Sequence, residues 1–213
     1  MNAVRRKTAL AEARAESQRE RILEAAQKCF VEHGFHGASM ATIADTADMS
    51  AGLLYRYFDS KNAIMLAIIA RELEGKHAKI EEFCAGADFL GKVVEKFALW
   101  QAGDSEVMNP SLFLEMSAEA TRDPAISRAI RASDAFTREH FEAWLRRGRG
   151  QPEELARSRT VLMQILIEGL VVRAVRDPEL DAATLRGALE PLFRHLGLIA
   201  DGDPADVRPG RTK

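Results

Sequence analysis

Apolar residues recur along this chain at spacings of three and four, and the runs they form end in glycine, proline or short capping side chains. That is the periodicity of helices that each bury one face. Ile22, Ala26, Cys29 and Phe30 make the first such stripe. Ahead of it, Ser17-Gln18-Arg19-Glu20 has capping-box spacing, so a helix is expected to begin there, and Gly34 stands where a left-handed cap would close it. Residues 1–16 carry Arg5, Arg6 and Lys7 in an Ala/Glu/Arg mixture with helix propensity but little apolar periodicity. They are read as a basic arm, flexible or extending the first helix.

Two short helical segments follow, Met40 to Ala47 and Ala51 to Phe58, joined by Asp48-Met49-Ser50. Asp59 or Ser60 can cap a long helix from Lys61 to Phe83, interrupted only by Gly75. Gly86 and Asp88 restart a helix bearing Phe89, Val93, Phe97 and Trp100, which breaks between Gln101 and Asn109. Asn109-Pro110 and Asp123-Pro124 each put a capping side chain before a proline at the first helical position, opening a short helix and then a long one to Arg147. Pro152 starts a helix whose centre, Val161 to Val172, is apolar almost all round and must be covered on several sides. A last helix shows Leu185, Leu189, Leu192 and Leu196 in a stripe that wants a partner, and the Gly/Pro-rich tail 201–213 is read as disordered. No β-rich stretch competes. The expected class is all-α, about nine helices in total, divided into an arm (1–16), a helix-turn-helix domain (17–62), a larger helical domain (63–200) and the tail.

Composition narrows the function. With 46% hydrophobic residues the 213-residue chain can bury a core, and a net charge of -2 argues against coating nucleic acid by bulk positive charge, so any DNA contact must be local. Cys29 and Cys84 sit among apolar helical positions without CxxC spacing and are read as buried thiols. The charged N-terminal residues lead into no apolar signal core and no run is long enough to span a bilayer, so a cytoplasmic protein without membrane contact is expected. No nucleophile beside a base, metal cluster or Gly-rich phosphate loop stands at readable spacing. Neither an enzyme nor a cofactor or metal protein is expected.

Residues 39–58, SMATIADTADMSAGLLYRYF, carry the chemistry. Met40, Ile43, Ala44 and Ala47 bury one face of a first short helix capped by Ser39, and Ser50 caps a second that Leu54 and Phe58 anchor inward. Ala51, Gly52, Leu53, Tyr55 and Arg56 are left outward. Small residues, a tyrosine and a guanidinium suit a helix that approaches a groove closely.

GFHGASMATIADTADMSAGLLYRYFDSKNAIM resembles the N-terminal signature of the TetR family over roughly residues 20 to 66. Gly34-Phe35, Ile43-Ala44, Ala47, Ser50, Gly52, Leu54, Tyr55, Tyr57-Phe58 and Lys61 fall at the family's spacing without insertion. The resemblance implies that Ser39 and Thr42 touch phosphates, that Ala51, Gly52, Leu53, Tyr55 and Arg56 face the major groove, and that Tyr57 and Lys61 clamp the DNA backbone. Two positions depart from the pattern. Asp48 replaces a common turn glycine but tolerates the left-handed conformation. Leu53 replaces a small or hydroxyl residue, which removes a phosphate donor and offers contact to a thymine methyl.

The same resemblance implies a ligand-inducible repressor, a homodimer joined through its last two long helices, acting on a near-palindromic operator. Phe97, Trp100, Phe113, Met116, Phe136, His140, Met163 and Ile167 are candidates to line a cavity for an apolar or aromatic small molecule with one polar handle, or else to fill a core. Glu168, inside an apolar run, needs an arginine across the dimer or a cationic ligand. Arg146, Arg147 and Arg149 complement the negative end of their helix. The rival reading is a helical protein-interaction module whose DNA reader is vestigial.

Overall fold

In the computed structural model the described residues are 2–84, 88–103 and 108–199. Among them the chain forms α1 (Asn2–Gly37), α2 (Met40–Thr46), α3 (Ala51–Tyr55), α4 (Lys61–Cys84), α5 (Phe89–Ala102), α6 (Pro110–Ala120), α7 (Pro124–Arg149), α8 (Glu153–Arg176) and α9 (Ala182–His195), with no strand. The caps expected at Ser39, Ser50, Ser60, Asn109 and Asp123 form, whereas Ser17 lies inside α1 and Asp181, not among the expected caps, opens α9. Ser39 Oγ accepts from the Thr42 amide at 3.0 Å and Ser50 Oγ from Leu53 at 3.2 Å. Ser60, rather than Asp59, takes the Ala63 amide (3.2 Å), while Asn109, Asp123 and Asp181 hold the first amides of α6, α7 and α9. The tail 201–213 and Gly86 lie outside the described residues, as do the side chains of Arg5 and Lys7.

Two compact units emerge, residues 1–72 with 114–130, and residues 73–113 with 131–213. The first is built on α1, α2, α3 and the start of α4, with Ile22, Leu23, Phe30, Ile43, Leu54, Ile64 and Ile68 excluded from solvent. In the second, α5 packs on α8 and α9. Phe89 is its hub, with ring centroids 5.8 Å from Phe141, 5.0 Å from Trp144 and 5.7 Å from Phe193.

Three features differ from the sequence-based expectations. The first helix does not start at Ser17 but at Asn2, because the Ala/Glu/Arg segment has enough propensity to extend it. The second reader helix stops at Tyr55, well short of Phe58. Finally, the leucine stripe of α9 is satisfied within the chain: Leu185, Leu189 and Leu196 are buried in the core around α5 and Leu192 packs against it. Periodicity identifies a buried face but not which helix buries it. The first compact unit extends to Glu72 and takes in residues 114–130, a grouping that chain order alone does not suggest.

Candidate functional site

The helix-turn-helix is held by packing on one side and by a few directed polar groups. α2 packs on α1 through buried Ile43, Ala44 and Ala47, and α3 packs on α2. Between them Asp48 takes a left-handed φ of 52°, the one positive-φ residue other than glycine among the described residues. Arg21, on α1, donates to the Ala47 carbonyl at 2.6 Å and the Asp48 carbonyl at 3.3 Å, fixing the turn. Leu54, fully buried, and Phe58 root α3, and the Arg19 guanidinium lies 5.3 Å above the Phe58 ring.

That anchoring turns the expected reading face outward. Ala51, Gly52 and Arg56 are exposed, Tyr55 is 51% exposed, and Leu53 and Tyr57 are half-buried. A Cβ built on Gly52 would meet nothing within 4 Å, so the backbone there is open to close approach. Ser39 is exposed at the start of α2 and shares a 2.7 Å hydroxyl contact with half-buried Thr42. Lys61, expected to clamp a phosphate, is otherwise engaged. Its ammonium donates to the carbonyls of Phe35 (2.5 Å), Ala38 (2.6 Å) and His36 (3.3 Å) and lies 4.8 Å above the Phe35 ring. An ammonium has three donors, and all three are directed at the carbonyl end of α1, where the helix dipole favours a cation.

Sequence reasoning missed the groups that fasten the reader to residues 114–130. Gly34 (φ 72°, ψ 161°) kinks the end of α1 and frees the Phe35 amide, which donates to Glu115 Oε2 at 2.7 Å. Glu119, 4% exposed, meets His36 Nε2 at 2.8 Å and Arg122 at 3.3 Å. Asn62 donates to Asp123, and this bond, with the Ala125 amide, holds the Asp123 carboxyl below its ordinary value of 3.8. The signal was present as two glutamates four apart in an otherwise uncharged helix, which places both on one face.

The expected effector residues are only partly brought together. Phe97, Trp100 and Met163 are buried in one core cluster, with Phe113 and Ile167 packed against it. Phe136 and His140 pair with each other, ring centroids 4.0 Å apart, and His140 Nδ1 lies 2.8 Å from the Phe136 carbonyl. Met116 belongs to the other unit. Glu168 is exposed on the surface of α8, and partial burial, then Asp134, push its carboxyl pKa up. Burial raises the Cys84 thiol to about 11, so it stays protonated at neutral pH. A depression of about 490 Å³ at the α7–α8 turn, lined by Arg146, Arg147 and Gln151 among others, includes none of the expected effector residues. Among the described residues no helix is long and apolar enough to cross a membrane.

A helical chain with an N-terminal helix-turn-helix and a separate helical C-terminal unit has the organisation of a one-component transcriptional regulator. Residues 22–68 match the family of bacterial regulatory proteins of the tetR type, and residues 103–198 match the C-terminal domain of BetI-type transcriptional repressors. The chain belongs to the TetR family. The transcriptional regulator UidR of Escherichia coli K12 is 34% identical over 117 residues, 55% of this chain and 59% of that relative, so the chain spans less than two thirds of its length. The transcriptional activator FasR of Mycolicibacterium smegmatis is 39% identical over 59 residues, covering 28% of this chain and 27% of FasR. Among solved structures, GusR of Salmonella enterica superposes with a TM-score of 0.66 at 27% identity, covering 84% of this chain and 96% of that one. A transcriptional regulator of Saccharomonospora viridis in complex with choline gives a TM-score of 0.69 at 21% identity, covering 84% and 97%, and shares the fold.

Proposed function

We propose that the chain is a ligand-inducible repressor that binds a near-palindromic operator as a homodimer in the cytoplasm. The observation that carries this reading is the outer face of α3, where exposed Ala51, Gly52, Tyr55 and Arg56 stand on a helix anchored by buried Leu54. In this reading they and Leu53 enter the major groove, Ser39, Thr42 and Tyr57 hold phosphates, and Lys61 acts on the DNA backbone chiefly by fixing the end of α1. One short helix buries little area. Two copies about 34–36 Å apart reach successive major-groove faces, which makes dimerisation part of the mechanism.

The dimer reading is supported by α8, where Val161, Leu162, Ile165 and Val175 are 43–62% exposed. On α9 the exposed residues include Gly187, Ala188 and Pro191, small enough for close helix approach. The proposed effector is an apolar or aromatic small molecule taken up among Phe97, Trp100, Phe113, Met163 and Ile167, with Phe136 and His140 as outer contacts. The complex of the Saccharomonospora neighbour with choline supports a small-molecule site in this fold. Release follows if the ligand prefers a state whose two readers are wrongly spaced, and ligand and DNA must then weaken each other by the same factor. The test is retardation of the chain's own upstream DNA across salt concentrations, followed by titration of metabolites with and without that DNA. A monomer indifferent to DNA at low salt would overturn the reading, and ligand affinity unaffected by operator would overturn induction.

A further inference from the structure

We propose that the indole N–H of Trp100 is the polar handle of the effector site, donating a hydrogen bond to a lone-pair oxygen on an otherwise apolar ligand. The inference rests on the effector reading above and specifies the chemistry that site selects. Trp100 is 6% exposed and its Nε1 has no hydrogen-bond partner among the described residues. It lies in a cluster of apolar side chains that includes Phe97, Leu170, Val171 and Ala174. A buried indole N–H normally finds an acceptor, and a donor left without one among these apolar side chains calls for a partner from outside the chain.

Among the described residues two other buried polar atoms lack partners, Gln151 Oε1 and Thr160 Oγ1, but they differ in kind. A hydroxyl can rotate toward a carbonyl of its own helix, and an amide can exchange its oxygen and nitrogen by turning about its last torsion. The indole N–H has neither freedom, because its direction is that of a ring clamped by packing. The helix beneath it is also pinned. Gln101, the next residue, holds its Nε2 within 3.1–3.2 Å of the carbonyls of Asp177, Pro178 and Leu180, and its two N–H groups shared among them tether the end of α5. Since indole nitrogen donates only, the matching group is a carbonyl, carboxylate, ether or hydroxyl oxygen, and an analogue without it leaves the donor unpaired.

The chain has two tryptophans, so the indole region of a proton–nitrogen spectrum of nitrogen-15-labelled protein holds two signals, assigned with W144F, which keeps a ring against Phe89. The probes are acetophenone and α-methylstyrene, which differ in having C=O or C=CH2 on the same frame. Acetophenone is expected to move the Trp100 indole proton downfield and leave Trp144 in place, and to bind about tenfold more tightly than α-methylstyrene. Calorimetry on W100F is expected to show that preference gone. A Trp100 signal unmoved at saturation, a preference that survives W100F, or failure of both probes to bind overturns the proposal. Failure of the repressor reading would show instead as lost operator retardation, which the indole spectrum does not report.

Discussion

Replacing Lys61 with methionine keeps the aliphatic stem and removes only the ammonium that gathers the Phe35, His36 and Ala38 carbonyls. A charged hydrogen bond contributes roughly 1.5–3 kcal/mol when its partners are sequestered. Lys61 is half-buried, and water can reach the freed carbonyls, so the three bonds and the contact over Phe35 together amount to about 2 kcal/mol rather than their sum. For a chain of this size that corresponds to a melting point lower by about 4–8 °C. The same variant measured on DNA separates two roles. Losing a phosphate clamp would flatten the plot of log affinity against log salt by about one per subunit, whereas losing an internal brace leaves the slope and lowers affinity through a looser reader. Thermal unfolding and anisotropy titrations across salt decide the matter. An unchanged melting point with a flatter salt slope would refute the internal role argued from the geometry.

Three further outcomes are expected. Ile165→Glu puts a carboxylate on the most exposed apolar position of α8, 62% exposed, and should yield a helical monomer in sedimentation with greatly weakened operator binding; a persistent dimer would remove α8 from the interface. Gly34→Ala forces a side chain into φ 72°, ψ 161°, a region essentially reserved for glycine, and should cost about 1–3 kcal/mol in denaturant unfolding, with no loss refuting the kink's role. Asp123 has a carboxyl pKa held below 3.8 by Asn62 and the α7 amides, so its stabilisation is present above 3.8 and is lost as pH falls through the lower folded value. D123N should therefore lower the denaturant midpoint at neutral pH and lose less than the wild type at about pH 3; parallel pH profiles would contradict this.

The reader was legible because its information is local. Ser39 and Ser50 cap helices whose amides lie three residues away, Asp48 meets a left-handed turn within one residue, and Leu54 and Phe58 declare an inward face by spacing alone. The starts of α6 and α7 were legible for the same reason, because each cap needs only its own side chain and the next few amides. What the chain order could not say is where a satisfied group finds its partner. The α9 leucines had the same periodicity whether they met α5 or a second subunit, and only the packing turned them to α5. Lys61 read as a free cation until the carbonyls 23–26 positions earlier in the chain were brought to it. Glu115 acquired its role only when Gly34 exposed the Phe35 amide across 80 residues of sequence, and Glu119 only when His36 was brought to it. Hydrogen-bond propensity and helical period are properties of neighbours along the chain, whereas burial and charge pairing belong to neighbours in space, and only folding decides those.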